Sequence, residues 1–308
     1  MTRLHVTHTT TYRDNRAVEL GEHRLMCRPR DSHDLRLVDT TLYIKPQAQS
    51  LRWMHDVFGN SIAIVSFGDE PASEVVFKSS FRAVHYPSPP QAISIESHAL
   101  RLPFGYSADD SKDLGPTTAR HYPDPEHQID AWARKFVEET PDQRTLDTLI
   151  AMSSAIKQQF LYSVREEAGV QPPLATLQLG SGSCRDFAVL MIEAARSLGL
   201  AARFVSGYLY DERLIDAEKQ TPISSGPDNI TASALLVGGG STHAWVQVYL
   251  PGAGWVEFDP TNALVGGENL IRVAVARDAW QAAPLVGTFA GTVGDFESMT
   301  VDVTVTVE

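Results

Sequence analysis

Apolar and polar positions change period twice along this chain. Over residues 1–100 the period is two. Leu4–Tyr12 is rich in β-branched residues, Leu35–Ile44 ends ahead of Pro46, Ser61–Phe67 follows a Gly59-Asn60 turn, and Glu74–Val84 precedes Pro87, Pro89 and Pro90. Short strands separated by turn signals predict an antiparallel β-sandwich. The charged segment Glu22–Arg30 fits a solvated or domain-packing strand better than a substrate site. Between 101 and 125, Pro103, Gly105, Gly115, Pro116, Pro123 and Pro125 interrupt either period and predict a linker or wrapping segment at a domain boundary.

From 126 to 199 the period is helical. Glu126–Thr140 sets Ile129, Trp132, Ala133, Phe136 and Val137 on one face, with Pro141 as its stop. Arg144–Tyr162 carries a stripe of Leu146, Leu149, Ile150, Ser153, Ile156 and Phe160. A polar stretch with Gly169, Pro172 and Pro173 leads to a helix from Ser183, with Phe187, Leu190, Met191, Ala194 and Leu198 on one face and Gly199 at its end. Beyond Gly199 the period returns to two. Ala202–Tyr210, Ala232–Val237, His243–Leu250, Trp255–Asp259 and Met299–Val307 read as strands, and polar Asp211–Asn229 as a loop. The expected organisation is an α+β chain: a β-rich domain over 1–100, a linker over 101–125, and a core over 126–308 that includes the last strand.

Composition narrows the function classes. The 308 residues hold 26 Lys and Arg against 38 Asp and Glu, a formal net charge of −12. That argues against nucleic acid as the main partner, since phosphate binding needs a basic surface. No run of about 18 apolar residues is present, so no membrane span is expected. The opening MTRLHVTHTTTYRDN lacks the apolar stretch of a signal peptide, and a cytoplasmic location is the expectation. Cys27 and Cys184 sit in unlike contexts and are not expected to pair. Metal and cofactor are not expected either. Cys184 has no second cysteine nearby, no histidines pair at helical spacing, and Asp211–Asp216 lacks the spacing of an EF-hand loop.

Candidate chemistry centres on Cys184, which follows a Gly-Ser turn and opens a helix. The positive end of the helix dipole favours an anion there, and the thiolate is the nucleophilic form of cysteine. Such a thiol needs an imidazole to move its proton and a third group to orient the imidazole. His243, at the start of a strand, and Asp259, at the end of the next, are of the right types. Taken singly, each has a plainer reading: Cys184 as a small core residue, His243 as a strand residue, Asp259 before Pro260 as a turn former. Strand parity offers a test. A tight hairpin with Leu250 opposite Trp255 makes paired numbers add to 505 and puts His243 and Asp259 on opposite faces. His243 directly opposite Asp259 makes them add to 502. A triad requires an even register or a bulge.

Three separated motifs then carry a resemblance. Gly182-Ser-Cys184-Arg-Asp-Phe-Ala188 with Leu198–Arg203 and Ser206-Gly-Tyr208, Thr242-His243-Ala-Trp245, and Trp255-Val-Glu-Phe-Asp259-Pro-Thr-Asn262 resemble, in order, the transglutaminase-like core. His23-Arg-Leu, Arg28-Pro-Arg30 and Phe58-Gly-Asn60 resemble the N-terminal region of bacterial transglutaminase-like proteins. The resemblance implies a papain-like or transglutaminase-like core, helices on an antiparallel sheet, behind the β-sandwich. It also implies Cys184 as nucleophile, His243 as general base and acid, and Asp259 as its orienter. The implied reaction is acyl transfer on protein or peptide amides through a thioester, resolved by water or an amine. A catalytically silent interaction module of the same fold is the competing reading. An arylamine acetyltransferase-like activity fits the surroundings of Cys184 less well. For the oxyanion, the Cys184 backbone N–H is the first donor. Gln178 is a candidate second, at the six-residue offset used by papain-like proteases. Trp245, two residues beyond His243, either walls the acyl site or packs. Asp186 reads as a helix-start charge or as a brace behind the site.

Overall fold

The computed structural model describes residues 1–308 except Ser88, Pro141, Glu166 and 211–235. Five strands come first: β1 (Thr2–Arg28), β2 (Leu35–Lys45), β3 (Ser50–His55), β4 (Ser61–Ser66) and β5 (Ala72–His85). They pair antiparallel in the order β2-β5-β1-β4-β3. β1 runs for 27 residues and pairs with both β5 and β4. Its first half lies along β5 and its last residues along β4, with register shifts between Arg13 and Val18 and between Leu25 and Arg28. Such bulges bend a strand, and here they curl the sheet over itself. Leu25 and Cys27 of β1, Val65 of β4 and Val75 and Phe77 of β5 share one core between the two layers. Glu22–Arg28 is therefore strand, with His23, Leu25 and Cys27 buried and Glu22 and Arg24 exposed. Both cysteines are free.

The boundary segment is a strap rather than a loose linker. It carries α1 (Ala108–Leu114), capped by Ser107 Oγ on the Asp110 N–H at 3.0 Å. Its Arg120 then donates to buried Glu193 at 3.0 Å and to Asp130. α2 (Gln128–Glu138) starts on the carboxylate of Asp124, which accepts the N–H groups of Gln128, Ile129 and Asp130. α3 (Thr145–Gln159) stops three residues short of the expected segment's end at Tyr162. Phe160 turns extended, and Leu161–Tyr162 becomes β6, paired parallel with β7 (Ser181–Gly182). Between them lies α4 (Pro173–Leu179), absent from the periodicity and started by Pro172-Pro173, where a missing N–H costs nothing. α5 (Cys184–Ser197) is enclosed on all sides, not on one face: every residue from Asp186 to Arg196 is buried. Glu193 and Arg196 tolerate this because they pair at 2.9 Å. Breaking such a buried pair costs roughly 3–5 kcal/mol.

A second antiparallel sheet follows: β8 (Ala202–Leu209), β9 (Thr242–Leu250), β10 (Gly254–Asp259), β11 (Leu264–Val265) and β12 (Leu270–Ala276), in the order β11-β10-β9-β8-β12. Phe204, Ala244, Val246, Val248 and Phe258 of its inner face pack into the core of α5. Val205, Leu209 and Trp245 form a separate cluster on the outer face. The expected loop Asp211–Asn229, and all but the last two residues of the expected strand Ala232–Val237, lie outside the described residues.

The end of the chain corrects the expected division. β13 (Leu285–Ala290) and β14 (Phe296–Val307) leave the second sheet and pair antiparallel with β1. The first half of β1 thus has β5 on one side and β14 on the other. The last strand belongs to the N-terminal sheet, not to the core over 126–308. Leu4, Val6 and Phe81 of that sheet meet Tyr208, Tyr210, Ile271 and Val273 of the second across a shared apolar seam. No described helix is long and apolar enough to cross a membrane.

Candidate functional site

Geometry brings two of the three sequence candidates, His243 and Asp259, together. β9 and β10 pair with Val246 opposite Phe258 and Gln247 opposite Glu257, so paired numbers add to 504. The register is even, two off from the directly opposed arrangement and one off from the tight hairpin. His243 and Asp259 therefore share a face, and His243 Nε2 lies 2.9 Å from Asp259 Oδ2. Both are fully buried.

Asp259 is held at both oxygens. Oδ1 accepts the Thr261 N–H at 2.9 Å, and Oδ2 also accepts the Asn262 side-chain amide at 2.8 Å. Ser153 of α3 donates to the Asp259 carbonyl at 3.3 Å. The same Asn262 amide bonds both backbone groups of Val237, accepting its N–H at 2.7 Å and donating to its carbonyl at 3.0 Å. The Asp-Pro-Thr-Asn end of β10 thus ties the glycine turn at 238–240 to the carboxylate. Gly238, at φ +103°, lies so close over the imidazole that a Cβ would stand 2.7 Å from His243 Nδ1.

Electrostatics follow from this packing. Burial alone lowers the pKa of His243, but the Asp259 carboxylate outweighs it, and with Cys184 adding in the same sense the ring is raised to about 10. Burial alone raises Asp259, yet the His243 charge and the bonds from His243, Asn262 and Thr261 hold it below its usual value. With Nε2–H committed to Asp259, Nδ1 is the ring nitrogen left over. It is buried and has no hydrogen-bond partner among the described residues, and Cys184 raises the ring further.

Cys184 is the first residue of α5 and is half-buried. Ser183 caps the helix, and its N–H and Oγ–H both reach Asp186 Oδ2, at 2.9 and 2.7 Å. The other Asp186 oxygen accepts from Arg165 at 2.9 Å and from the Gln171 N–H at 2.6 Å. Asp186 is both a helix-start charge and a brace that fastens the chain around 165–171 to the turn before Cys184. Trp245 packs: it is fully buried among Val205, Leu209, Leu270 and Val275 and stacks on His243 at 6.0 Å and 27°. It backs the imidazole. Gln178 does not join the group. It sits exposed on α4 and donates to Gln128 Oε1 at 3.1 Å.

Tyr162 is the residue that periodicity missed. Read as the tail of a helix, it is in fact on β6, against the strand that leads into Cys184. Burial raises its phenol to about 12, and Cys184 and Asp259 push it the same way. Phe160 and Tyr162 both meet Phe187 of α5, at 6.0 and 6.3 Å.

Residues 130–260 match the transglutaminase-like superfamily, and residues 4–84 match the bacterial transglutaminase-like N-terminal region. The chain belongs to the transglutaminase-like superfamily. An uncharacterised protein of Mycobacterium tuberculosis is 28% identical over 303 residues, covering 92% of this chain and 87% of that one. An uncharacterised Mycobacterium leprae protein is 36% identical over 110 residues, covering 36% of this chain and 33% of that one. Among solved structures, a candidate cysteine protease from Cytophaga hutchinsonii aligns with a TM-score of 0.70 at 16% identity, over 99% of this transglutaminase-like chain and 90% of its own. At that identity the likeness speaks for the fold.

Proposed function

We propose that this transglutaminase-like protein catalyses cysteine-dependent acyl transfer on protein or peptide amides, through a thioester on Cys184. The observation that carries the reading is the 2.9 Å bond from His243 Nε2 to Asp259, which leaves the buried Nδ1 as the ring nitrogen open to a proton donor. In the resting pair the proton stands on Nδ1 of the His243 imidazolium, and the Cys184 thiolate Sγ attacks the amide carbonyl carbon. The oxyanion that forms is stabilised by preorganised donors; the Cys184 N–H is one, and the Tyr162 hydroxyl is our candidate for the second. Collapse breaks the C–N bond as His243 returns its proton to the leaving amine. Water or a second amine then attacks the thioester, gives up its proton to His243, and releases Cys184. Water yields a peptidase or amidase, an amine a transglutaminase.

Mass spectrometry of a peptide library incubated with the wild type and with Cys184→Ala tests this. A cleaved, deamidated or amine-adducted product confined to the wild type supports the reading and names the acceptor. Identical product lists would refute it and favour a silent interaction module.

A further inference from the structure

The outer face of the second sheet, turned away from α5, carries a cavity of about 690 Å³ that Cys184, His243 and Asp259 do not line. Small-molecule sites run to roughly 300–1,000 Å³. One wall is built from β8, β9, β10 and β12, the other from the chain just after β1 and the β3–β4 turn. Three of its six charged residues balance one another, and Asp31 adds a carboxylate next to Arg30. Arg272 donates to Glu257 at 2.8 Å and to both oxygens of Asp34 at 3.2 Å, and Glu257 also accepts the Gln247 amide at 3.0 Å.

Arg203 is different. Its Nε–H donates to Gln247 Oε1 at 2.8 Å, and its guanidinium lies 4.0 Å from the centroid of the Trp255 ring. It makes no ion pair among the described residues. Burial, with the nearby Arg272, pulls its pKa down to about 9, and the Glu257 charge offsets this only in part. Desolvating a charge without a counter-ion is costly, and an oxyanion docked on the guanidinium fork would remove that cost. Arg30 lines the opposite wall and likewise makes no ion pair among the described residues. Its guanidinium rests on Gly59, where φ is +77° and a Cβ would stand 2.2 Å from Nη1, so a glycine is required beneath it.

We propose that this cavity binds the oxyanion group, carboxylate or phosphate, of a small molecule, held between Arg203 and Arg30. The site is separate from the proposed thiol chemistry and stands or falls without it. Thermal unfolding of the full chain at fixed ionic strength tests it, with inorganic phosphate and succinate titrated separately against chloride. At ten times its Kd a bound anion is expected to raise Tm by about 2 °C. Arg203→Met is expected to abolish the response, and Arg30→Ala, a change at an exposed side chain, to weaken binding severalfold. A response to phosphate alone, to succinate alone or to both names the anion. No response in the wild type, or an equal response in Arg203→Met, overturns the proposal. If Arg203→Met does not fold, undiminished binding in Arg30→Ala overturns it.

Discussion

Asp259 decides the charge of His243. Burial on its own would leave this imidazole neutral; the carboxylate 2.9 Å away reverses that and carries the ring to about 10. Asp259→Asn keeps the shape and removes the charge, so burial then prevails. By nitrogen NMR, His243 should titrate near pH 10 in the wild type and below its ordinary 6.5 in the variant. Turnover should fall by about 10⁴-fold, the loss seen when a triad imidazole loses its carboxylate. A wild-type ring that is neutral at pH 7 would contradict the electrostatics described here. Tyr162 can be separated from the thiol pair. Tyr162→Phe removes one oxyanion donor, and kcat is expected to drop by about 10²-fold with KM little changed. Iodoacetamide should still label Cys184 at the wild-type rate, since alkylation forms no oxyanion. Slowed labelling would make Tyr162 a positioning residue instead.

The elements that matter most at the site are short ones: the turn at 238–240 and β6. Gly238 and Gly239 look equivalent in the sequence, yet of the two only Gly238 has φ +103° and the His243 ring beneath it, while no described residue lies within 4 Å of a Cβ on Gly239. Gly238→Ala is expected to destabilise by about 1–3 kcal/mol, the scale of a strained backbone position, and to displace the imidazole, lowering activity. Gly239→Ala should be near neutral in both respects. Urea denaturation and a turnover assay on the pair check this; equal losses would deny the turn its role over His243. Legibility divides along the same line. Cys184, His243 and Asp259 were readable because each sits at a helix or strand end inside an extended motif, and because strand parity is a strict constraint. β6 was not readable, since two residues on the end of an apolar helical stripe carry no period of their own. Gln178 failed because an offset along the sequence says nothing about which face of α4 a residue occupies.

At the scale of the molecule, the two sheets are joined where local periodicity has no voice. β14 alternates clearly enough to be read as a strand, but its partner is β1, at the other end of the chain. The seam between the sheets also buries two histidines. His8 of β1 bonds Tyr208 of β8 at 2.9 Å, and His85 of β5 bonds Tyr210 at 3.3 Å. Burial is the main reason both pKa values fall to about 4; for His8 the charge of Asp302 offsets it only in part, as that of Asp34 does for His85. Below pH 6.5 the unfolded chain takes up protons at these positions that the folded chain refuses, so stability declines as pH falls from 6.5 toward 4 and rises with pH across that window. For His8 the loss by pH 4 amounts to at most about 3 kcal/mol. Tm should therefore drop across this range, and the double variant His8→Gln, His85→Gln should flatten the dependence, even if it starts from a lower Tm. Glutamine keeps a polar contact for each tyrosine without a proton to gain. The loosening should begin at the seam, so hydrogen exchange at pH 4.5 should quicken in β8 and the first half of β1 before it does in α5. Exchange that quickens first in α5, or a Tm slope that survives the double variant, would place the acid-sensitive groups elsewhere.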